Sequence, residues 1–424
     1  MTLSVAAEVP LSAPVVERGA ALLSIPEAYA RASAYAAPLA GTDIVPVAQA
    51  AGRTLAEPIV ARLAVPPFTQ SAMDGYALAA SDEIAAGAYL EVVGRVPAGG
   101  RGGRITAGHA ARLFTGAPLP EGADAVIMQE HVERDGAAII LRRALRAGDN
   151  IRYKGEDIQP LEILLQAGQR LDARHVALAA AQGFETAKVR ARPRVAVIST
   201  GDELRQVGDL LDPSTIYDSN RPMLLALVEQ SGLAPIDGGW VPDEPGTIAA
   251  RLRHMAEQAD LVITSGGASL GEEDHALAAL EQAGGRGETL KIALKPGKPA
   301  VVGRIGGAAY LGLPGNPVSS LVCWLLLGQA MISALEGRMP HRRIGFPLPS
   351  RSAFDRRPGR TEFVPAKLVG GHAGLGVEIL GRGGSARLRP LAEADGLAEI
   401  AAETSGIRPG DVVLFHPLRG GFAV

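Results

Sequence analysis

Between Lys291 and Ser319 the chain sets Lys291, Lys295 and Lys298 in KIALKPGKP. It then runs through a short apolar strand and LPGNPVSS into a helix. Glycine and proline impose tight turns there and leave backbone N–H groups facing outward. Asn316 is placed to cap the helix, and Pro317 fits its first turn, where a missing N–H costs nothing. Free N–H groups and the positive end of the helix dipole attract anions, and three nearby ammonium groups add charge. The arrangement suits phosphate or a small oxyanion. A capped helix after an ordinary hairpin, with its lysines in solvent, is the bland alternative; the adjacency of the two halves favours the anion site.

Two more strand ends carry glycine-bearing polar turns. RVAVIST is followed by Gly201-Asp202-Glu203, and DLVIT by SGGASLGEED, residues 265–274. In a doubly wound sheet all three turns lie on one edge, where ligands bind. Glu203 and Asp274 would then face an N–H cradle of Gly266, Gly267 and Ser269. Carboxylates beside a phosphate site call for a cation between them, which implies Mg²⁺, an ion satisfied by a few carboxylates and phosphate oxygens. Alone, SGGASLGEED reads as a glycine turn and an acidic helix start. Three such turns on successive strands favour the site. Two further motifs lie elsewhere, PPFTQSAMDGYA at 66–77 and GDNIRYKGEDI at 148–158. On its own, Asp74 is a turn residue.

These turns need elements to hold them. Helical spacing predicts a helix over Ile25–Tyr35 and a short one near Val47–Thr54. A Pro/Gly-rich β region follows, with strands at Leu90–Val96, Ala111–Thr115, Ala125–Gln129 and Ala138–Leu141. A helical patch at His175–Gln182 could pack back on the N-terminal helices. From Arg194 to Gly337 apolar runs alternate with amphipathic helices, the pattern of a parallel doubly wound α/β sheet. Short strands with glycine turns from about Phe346 to Val424 suggest a small β-barrel. The expected division is a disordered extension (1–20), a discontinuous helical domain (21–60 and 156–192), an inserted β domain (61–155), an α/β domain (193–342) and a barrel domain (343–424).

The bulk composition agrees with a multidomain enzyme. A chain of 424 residues exceeds a single core. Its 47% hydrophobic and 21% charged residues are ordinary for a folded protein. Aromatic residues at 4% and a net charge of −3 argue against a nucleic-acid partner. One cysteine, Cys323, excludes an intrachain disulfide and a multi-cysteine metal cluster, and in LVCWLLL it reads as a buried, inert thiol. The longest apolar run, Leu321 to Ile332, is broken by Gly328 and Gln329 and reads as a core helix rather than a membrane span. Acidic residues Glu8 and Glu17 do not suit a signal peptide, so the protein is expected to be cytoplasmic.

Taken together the motifs resemble the molybdopterin molybdenumtransferases, the MoeA family shared with the E domain of gephyrin. The matching segments are SAMDGYA (71–77), FTGAPLPEGADAVIMQE (114–130), NIRYKGEDI (150–158), STGDEL (199–204), YDSN (217–220), SGGASLGEED (265–274), KPGKP (295–299), LPGNPVS (313–319) and PGRTEF (358–363). The resemblance implies a homodimeric enzyme that inserts molybdate into adenylylated molybdopterin, releasing AMP and molybdenum cofactor. It implies Mg²⁺ at Glu203 and Asp274, with Gly266 and Gly267 cradling phosphate. Lys291, Lys295 and Ser269 would contact substrate or molybdate; Lys298, Arg360 and Ser385 would hold oxyanion, and Pro314 and Pro317 would bind substrate beside them. Asp74 and Thr115 would reach in from the partner subunit, and Asp157 and Asp243 would be acids the reaction needs. The implied partners are the adenylyltransferase and molybdoenzyme apoproteins. His275 stands where the family carries an aromatic, and GRGGSARLRPLAEADG follows the family's serine-bearing loop only loosely. The alternatives from other classes are a non-catalytic dimeric scaffold and a molybdopterin adenylyltransferase.

Overall fold

Arg194–Thr200, Leu261–Ser265 and Ala308–Leu313 are short runs with almost every side chain buried, as strands covered on both faces must be. The computed structural model, which describes residues 22–266, 275–297, 299–338, 344–371, 374–381 and 384–418, makes them adjacent parallel strands. Ala234–Val241 adds in parallel to the far side of Arg194–Thr200. Chain order therefore reverses between Arg194–Thr200 and Leu261–Ser265, and their carboxyl ends form a topological switch point. The expected wholly parallel sheet needs one correction. Ala300–Ile305 and Arg286–Leu290 complete the sheet in antiparallel sense. Gly306 and Gly307 turn the first of these directly back on Ala308–Leu313, and a two-residue connection can only make a hairpin.

Alternate side chains of these strands feed two cores. Val195, Val197, Leu261 and Ile263 pack with Leu224 and Val228 of the Asn220–Gln230 helix. Ala196, Ile198 and Val262 pack on the other face with Ile248 and Leu252 of Pro245–Ala256, and Ala276 and Leu280 of His275–Gln282. The sheet is thus wound on both faces, as its alternation predicts. Ile25–Ala34 starts with a Ser24/Glu27 capping box and buries Ala28 and Ala32 in the first core. Pro317–Leu335 is long and apolar enough to cross a membrane, yet 78% of it is buried inside the protein. Its middle widens into a π turn, Trp324–Gly328, with the indole packed over the bare Cα of Gly328.

The C-terminal strands close on themselves. Thr361–Val369 pairs with Gly396–Ile400, which pairs with Val412–Pro417, which pairs with Phe346–Pro349. A bridge from Ser350 to Val377, within the Gly376–Ile379 strand that pairs back on Thr361–Val369, completes the expected barrel. Leu294–Lys295 joins its side in parallel, placing Lys295 opposite Glu362.

These elements belong to one compact unit, which takes residues up to Asp43, Gly52–Thr54 and everything from Arg190. The second unit comprises Ile44–Ala51 and Leu55–Val189. It is built on a six-stranded sheet in the order Ala125–Met128, Gly75–Leu78, His109–Leu113, Tyr89–Val96, Ala138–Leu141, Val132–Asp135. Strict alternation sends Tyr76 and Leu78 into one core and Ala77 into another. The helix expected near Val47–Thr54 shrinks to one 3₁₀ turn, Val47–Gln49, because glycine and β-branched residues follow it. The Ala173–Ala181 helix, capped by Asp172, buries Ala179 with Val47 and Ala50 and so packs on that turn.

Candidate active site

At the switch point three strand ends are tied into one edge. The Gly266 N–H donates to the Leu313 carbonyl at 3.2 Å, and Asn220 Nδ2 donates to Ser265 Oγ at 2.8 Å and to the Gly315 carbonyl at 2.6 Å. A side chain on Gly266 would sit 2.3 Å from the Thr200 carbonyl, and its φ of +108° disfavours any other residue. Glu203 folds back over Gly201, within 2.4 Å of where a Cβ would stand. Trp240 Nε1 donates to the Gly201 carbonyl at 2.7 Å, and the Asp243 N–H donates to Asp202 Oδ1 at 3.1 Å. Glu203, Asp243 and Gly266 are thus held around one strand edge. Gly267, Ser269 and Asp274 lie outside the described residues.

Among the described residues no group of three or more His, Cys, Asp or Glu side chains could hold a metal ion. Glu203 nevertheless offers an exposed carboxylate to which no described basic side chain is paired. A hard ion that keeps several waters asks for one or two such oxygens, so this donor fits Mg²⁺.

The anion chemistry predicted for LPGNPVSS has a cavity to match. A volume of about 420 Å³ is lined by Lys295, Pro314, Asn316, Ser319, Arg360 and Ser385, among others. A second volume of about 560 Å³ shares Lys295 and Arg360 and adds Arg356 and Arg357. Ser320 Oγ donates to the Pro314 carbonyl at 2.7 Å and fixes the turn, while the Val318 N–H donates to the Ser385 carbonyl at 3.0 Å and fastens the serine loop to it. Pro317 is the first helical residue, as expected. Asn316 occupies the capping position, but its side chain makes no cap bond; only its carbonyl is engaged, by the Ser320 N–H at 2.9 Å. Lys291 lines neither cavity, and its carbonyl accepts from the Leu23 N–H at 2.8 Å. Lys298 is outside the described residues.

Glu362 lies in the PGRTEF segment but carries no role there as a sequence motif. Its Oε1 lies 2.8 Å from Lys295 Nζ and its Oε2 3.0 Å from Arg356 Nε, and the side chains of both Glu362 and Arg356 are buried. Arg356 lies two residues before that segment, and no motif marks its pairing with Glu362.

In the second unit Asp74 Oδ1 accepts from both the N–H and the hydroxyl of Thr115, each at 2.8 Å. These bonds hold its carboxyl below the usual carboxylate range, chiefly through the Thr115 N–H. Gly75 is required because a Cβ there would stand 1.9 Å from the Ile127 carbonyl of the neighbouring strand. Asp157 is exposed on a separate turn, with its N–H bonded to the Val65 carbonyl at 3.0 Å.

The chain matches the family models of the MoeA N-terminal region (domain I and II) over residues 23–183, a probable molybdopterin binding domain over 196–334 and the MoeA C-terminal region (domain IV) over 347–418. A molybdopterin molybdenumtransferase of Haemophilus influenzae is 35% identical over 384 residues, which span 89% of this chain and 94% of that protein. The chain belongs to the molybdopterin molybdenumtransferase family. Molybdopterin molybdenumtransferase 2 of Mycobacterium tuberculosis is 36% identical over 378 residues, 86% of this chain and 92% of that one. The crystal structure of the moeA protein from Pyrococcus horikoshii OT3 superposes with a TM-score of 0.77 at 28% identity, covering 94% of this chain and all of that one. Membership of the molybdopterin molybdenumtransferase family makes the chain a transferase and bears out the resemblance drawn from its motifs.

Proposed function

We propose that the protein completes molybdenum cofactor by inserting molybdate into adenylylated molybdopterin, with release of AMP. Its relatives' shared name supports molybdenum insertion. The observation that carries the finer reading is the cavity where Lys295, Arg360, Ser319 and Ser385 converge on a helix start. Molybdate is a tetrahedral dianion, and ammonium, guanidinium and hydroxyl groups hold it without a thiolate or imidazole ligand. Two dithiolene S–H groups replace one oxo ligand by two Mo–S bonds; the two protons and that oxygen leave as water. The protein's part is to hold the dianion beside the dithiolene and offset its charge. Lys295 and Arg360 supply the charge, and the hydroxyls orient the oxygens.

Gly201, Gly266 and Glu203 would serve the adenylyl pyrophosphate at the switch point, with Gly267, Ser269 and Asp274 completing it. Glu203 and Asp274 would hold Mg²⁺, which when bound would neutralise the pyrophosphate and favour its hydrolysis, one water being consumed to give AMP and the pterin's phosphate. We assign the working form to a cytoplasmic homodimer in which Asp74 and Thr115 of the inserted β region serve the partner's site, with Asp157 an acid the reaction needs. Lys291 and Asp243 would serve the reaction itself, Lys298 would hold the oxyanion, and Pro314 and Pro317 would contact the substrate. The test is direct: purified protein given adenylylated molybdopterin and Mg²⁺ should form AMP only when molybdate is supplied. AMP formed equally without molybdate, or none with it, rejects the reading.

A further inference from the structure

We infer that Glu362 is the positioning residue for the oxyanion-binding lysine: it is clamped from behind by buried Arg356 and presents its front oxygen to Lys295, fixing where that ammonium meets the anion. The inference rests on the reading of the Lys295 cavity as the molybdate site.

The clamp is built in three layers. The Arg356 side chain is wholly buried and spends its donors inward. Its Nε reaches Glu362 Oε2, its Nη1 reaches the carbonyls of Ala401 at 2.5 Å and Thr404 at 3.1 Å, and its Nη2 reaches the carbonyl of Arg360. A guanidinium held at four points cannot swing, so Glu362 meets a fixed charge rather than a mobile one. The Glu362 side chain is only 2% exposed, and its remaining oxygen meets Lys295 Nζ at 2.8 Å. Lys295 is the residue directly opposite on the neighbouring parallel strand, so backbone pairing and ion pair agree in register. The lysine side chain stays 44% exposed and lines both cavities. An unpinned lysine is a flexible stem with a point charge; this one has its Nζ anchored with donors left for a ligand. The same arginine grips the Arg360 carbonyl, so one buried group backs Lys295 through Glu362 and fixes the backbone that carries Arg360.

Charge balance gives the second half of the role. Lys295, Arg356, Arg357 and Arg360 border the second volume with Asp355, while the carboxylate of Glu362 borders the first. Removing that carboxylate makes the cavity more positive and should hold a dianion at least as tightly, while releasing the lysine from its place. Tighter binding without correct placement lowers turnover, since only interactions improved in the transition state speed reaction.

The experiment is Glu362→Gln and Glu362→Asp, read by molybdate-dependent AMP formation and, separately, by calorimetric binding of molybdate alone. For Glu362→Gln, kcat should fall about a hundredfold, the scale of a misplaced contact, while the molybdate Kd stays level or tightens by up to about tenfold. Glu362→Asp keeps the charge but withdraws it by one methylene, so its Kd should match the parent while kcat again falls. Should Glu362→Gln leave Arg356 unpaired and the protein unfolded, Glu362→Gln combined with Arg356→Gln removes both charges with no net change, so the molybdate Kd should stay level while kcat falls. Both parameters within twofold of the parent, or a weakened Kd with unchanged kcat, overturn the role of Glu362. A parent protein that binds no molybdate overturns the underlying reading instead.

Discussion

Asp74 and Thr115 form a two-bond lock: one carboxylate oxygen receives both the backbone N–H and the hydroxyl of the same threonine, at 2.8 Å each. The lock fixes an acid at the start of a strand whose neighbour, Gly75, tolerates no side chain. Its electrostatic consequence is a carboxyl held below its ordinary value. The folded-state pKa is depressed, so the lock's contribution to stability is present above the ordinary carboxylate value of about 4. It is lost as pH falls through the depressed value. Thr115→Val deletes the hydroxyl bond and keeps the N–H bond. In carboxyl-selective NMR titration, Asp74 should move up toward its ordinary value but stay below it. An unmoved titration would show that the hydroxyl plays no part.

Cys323 tests the core under the anion cavity. Burial pushes its thiol up to about 12, and its Sγ–H points at the Gly297 carbonyl at 3.4 Å. A thiol that protonated is inert. Native protein at pH 8 should leave a thiol reagent unreacted over the time in which denatured protein reacts fully. Prompt reaction of folded protein would place the cysteine elsewhere. Cys323→Ser puts a hydroxyl in this apolar core and should cost about 1–3 kcal/mol by denaturant unfolding.

Much of this architecture is written locally. The alternate burial of Val195 and Ala196, or of Tyr76 and Ala77, follows from side-chain period two, and Pro317 starts its helix because its missing N–H is not needed there. What escaped depends on groups far apart in the chain. Glu362 lies in a strand whose residues Glu362 to Ala366 are all buried, so no polar–apolar alternation singles it out, and Lys295 precedes it by a whole α/β domain segment. The antiparallel edge was hidden because Arg286–Leu290, RGETL, carries glycine and charged residues and shows no strand pattern. Asn316 satisfied every capping preference and still makes no cap bond. Preference by type says which residues suit a position, whereas the side chain answers to the cavity it borders.

Gly266 and Glu203 offer a test of the switch point. Gly266→Ala forces a Cβ against the Thr200 carbonyl at φ +108° and should cost about 1–3 kcal/mol. Because the clash is with backbone, the strand end must shift, and AMP release should fall more than molybdate binding to the isolated protein. Glu203→Gln leaves packing intact and removes a hard oxygen charge. It should raise the Mg²⁺ concentration for half-maximal AMP release by at least about tenfold. Equal Mg²⁺ dependence in Glu203→Gln and parent would remove Glu203 from the metal site.

The proposed sharing of sites between subunits makes a sharper claim, because it predicts activity from two inactive proteins. Asp74→Ala spoils a group offered to the partner, while Lys295→Ala spoils the cavity that receives it. Neither homodimer has a complete site. Mixed by co-unfolding and refolding, equal amounts should assort at random, so half of the dimers are heterodimers, each with one site intact from two unmutated contributions. Total activity should recover to about a quarter of the parent. Mixing Asp74→Ala with Thr115→Ala should recover none, since both lesions then fall on the same side of the site. Recovery absent from the first mixture, with heterodimers confirmed by mass, would mean that each subunit works with its own Asp74.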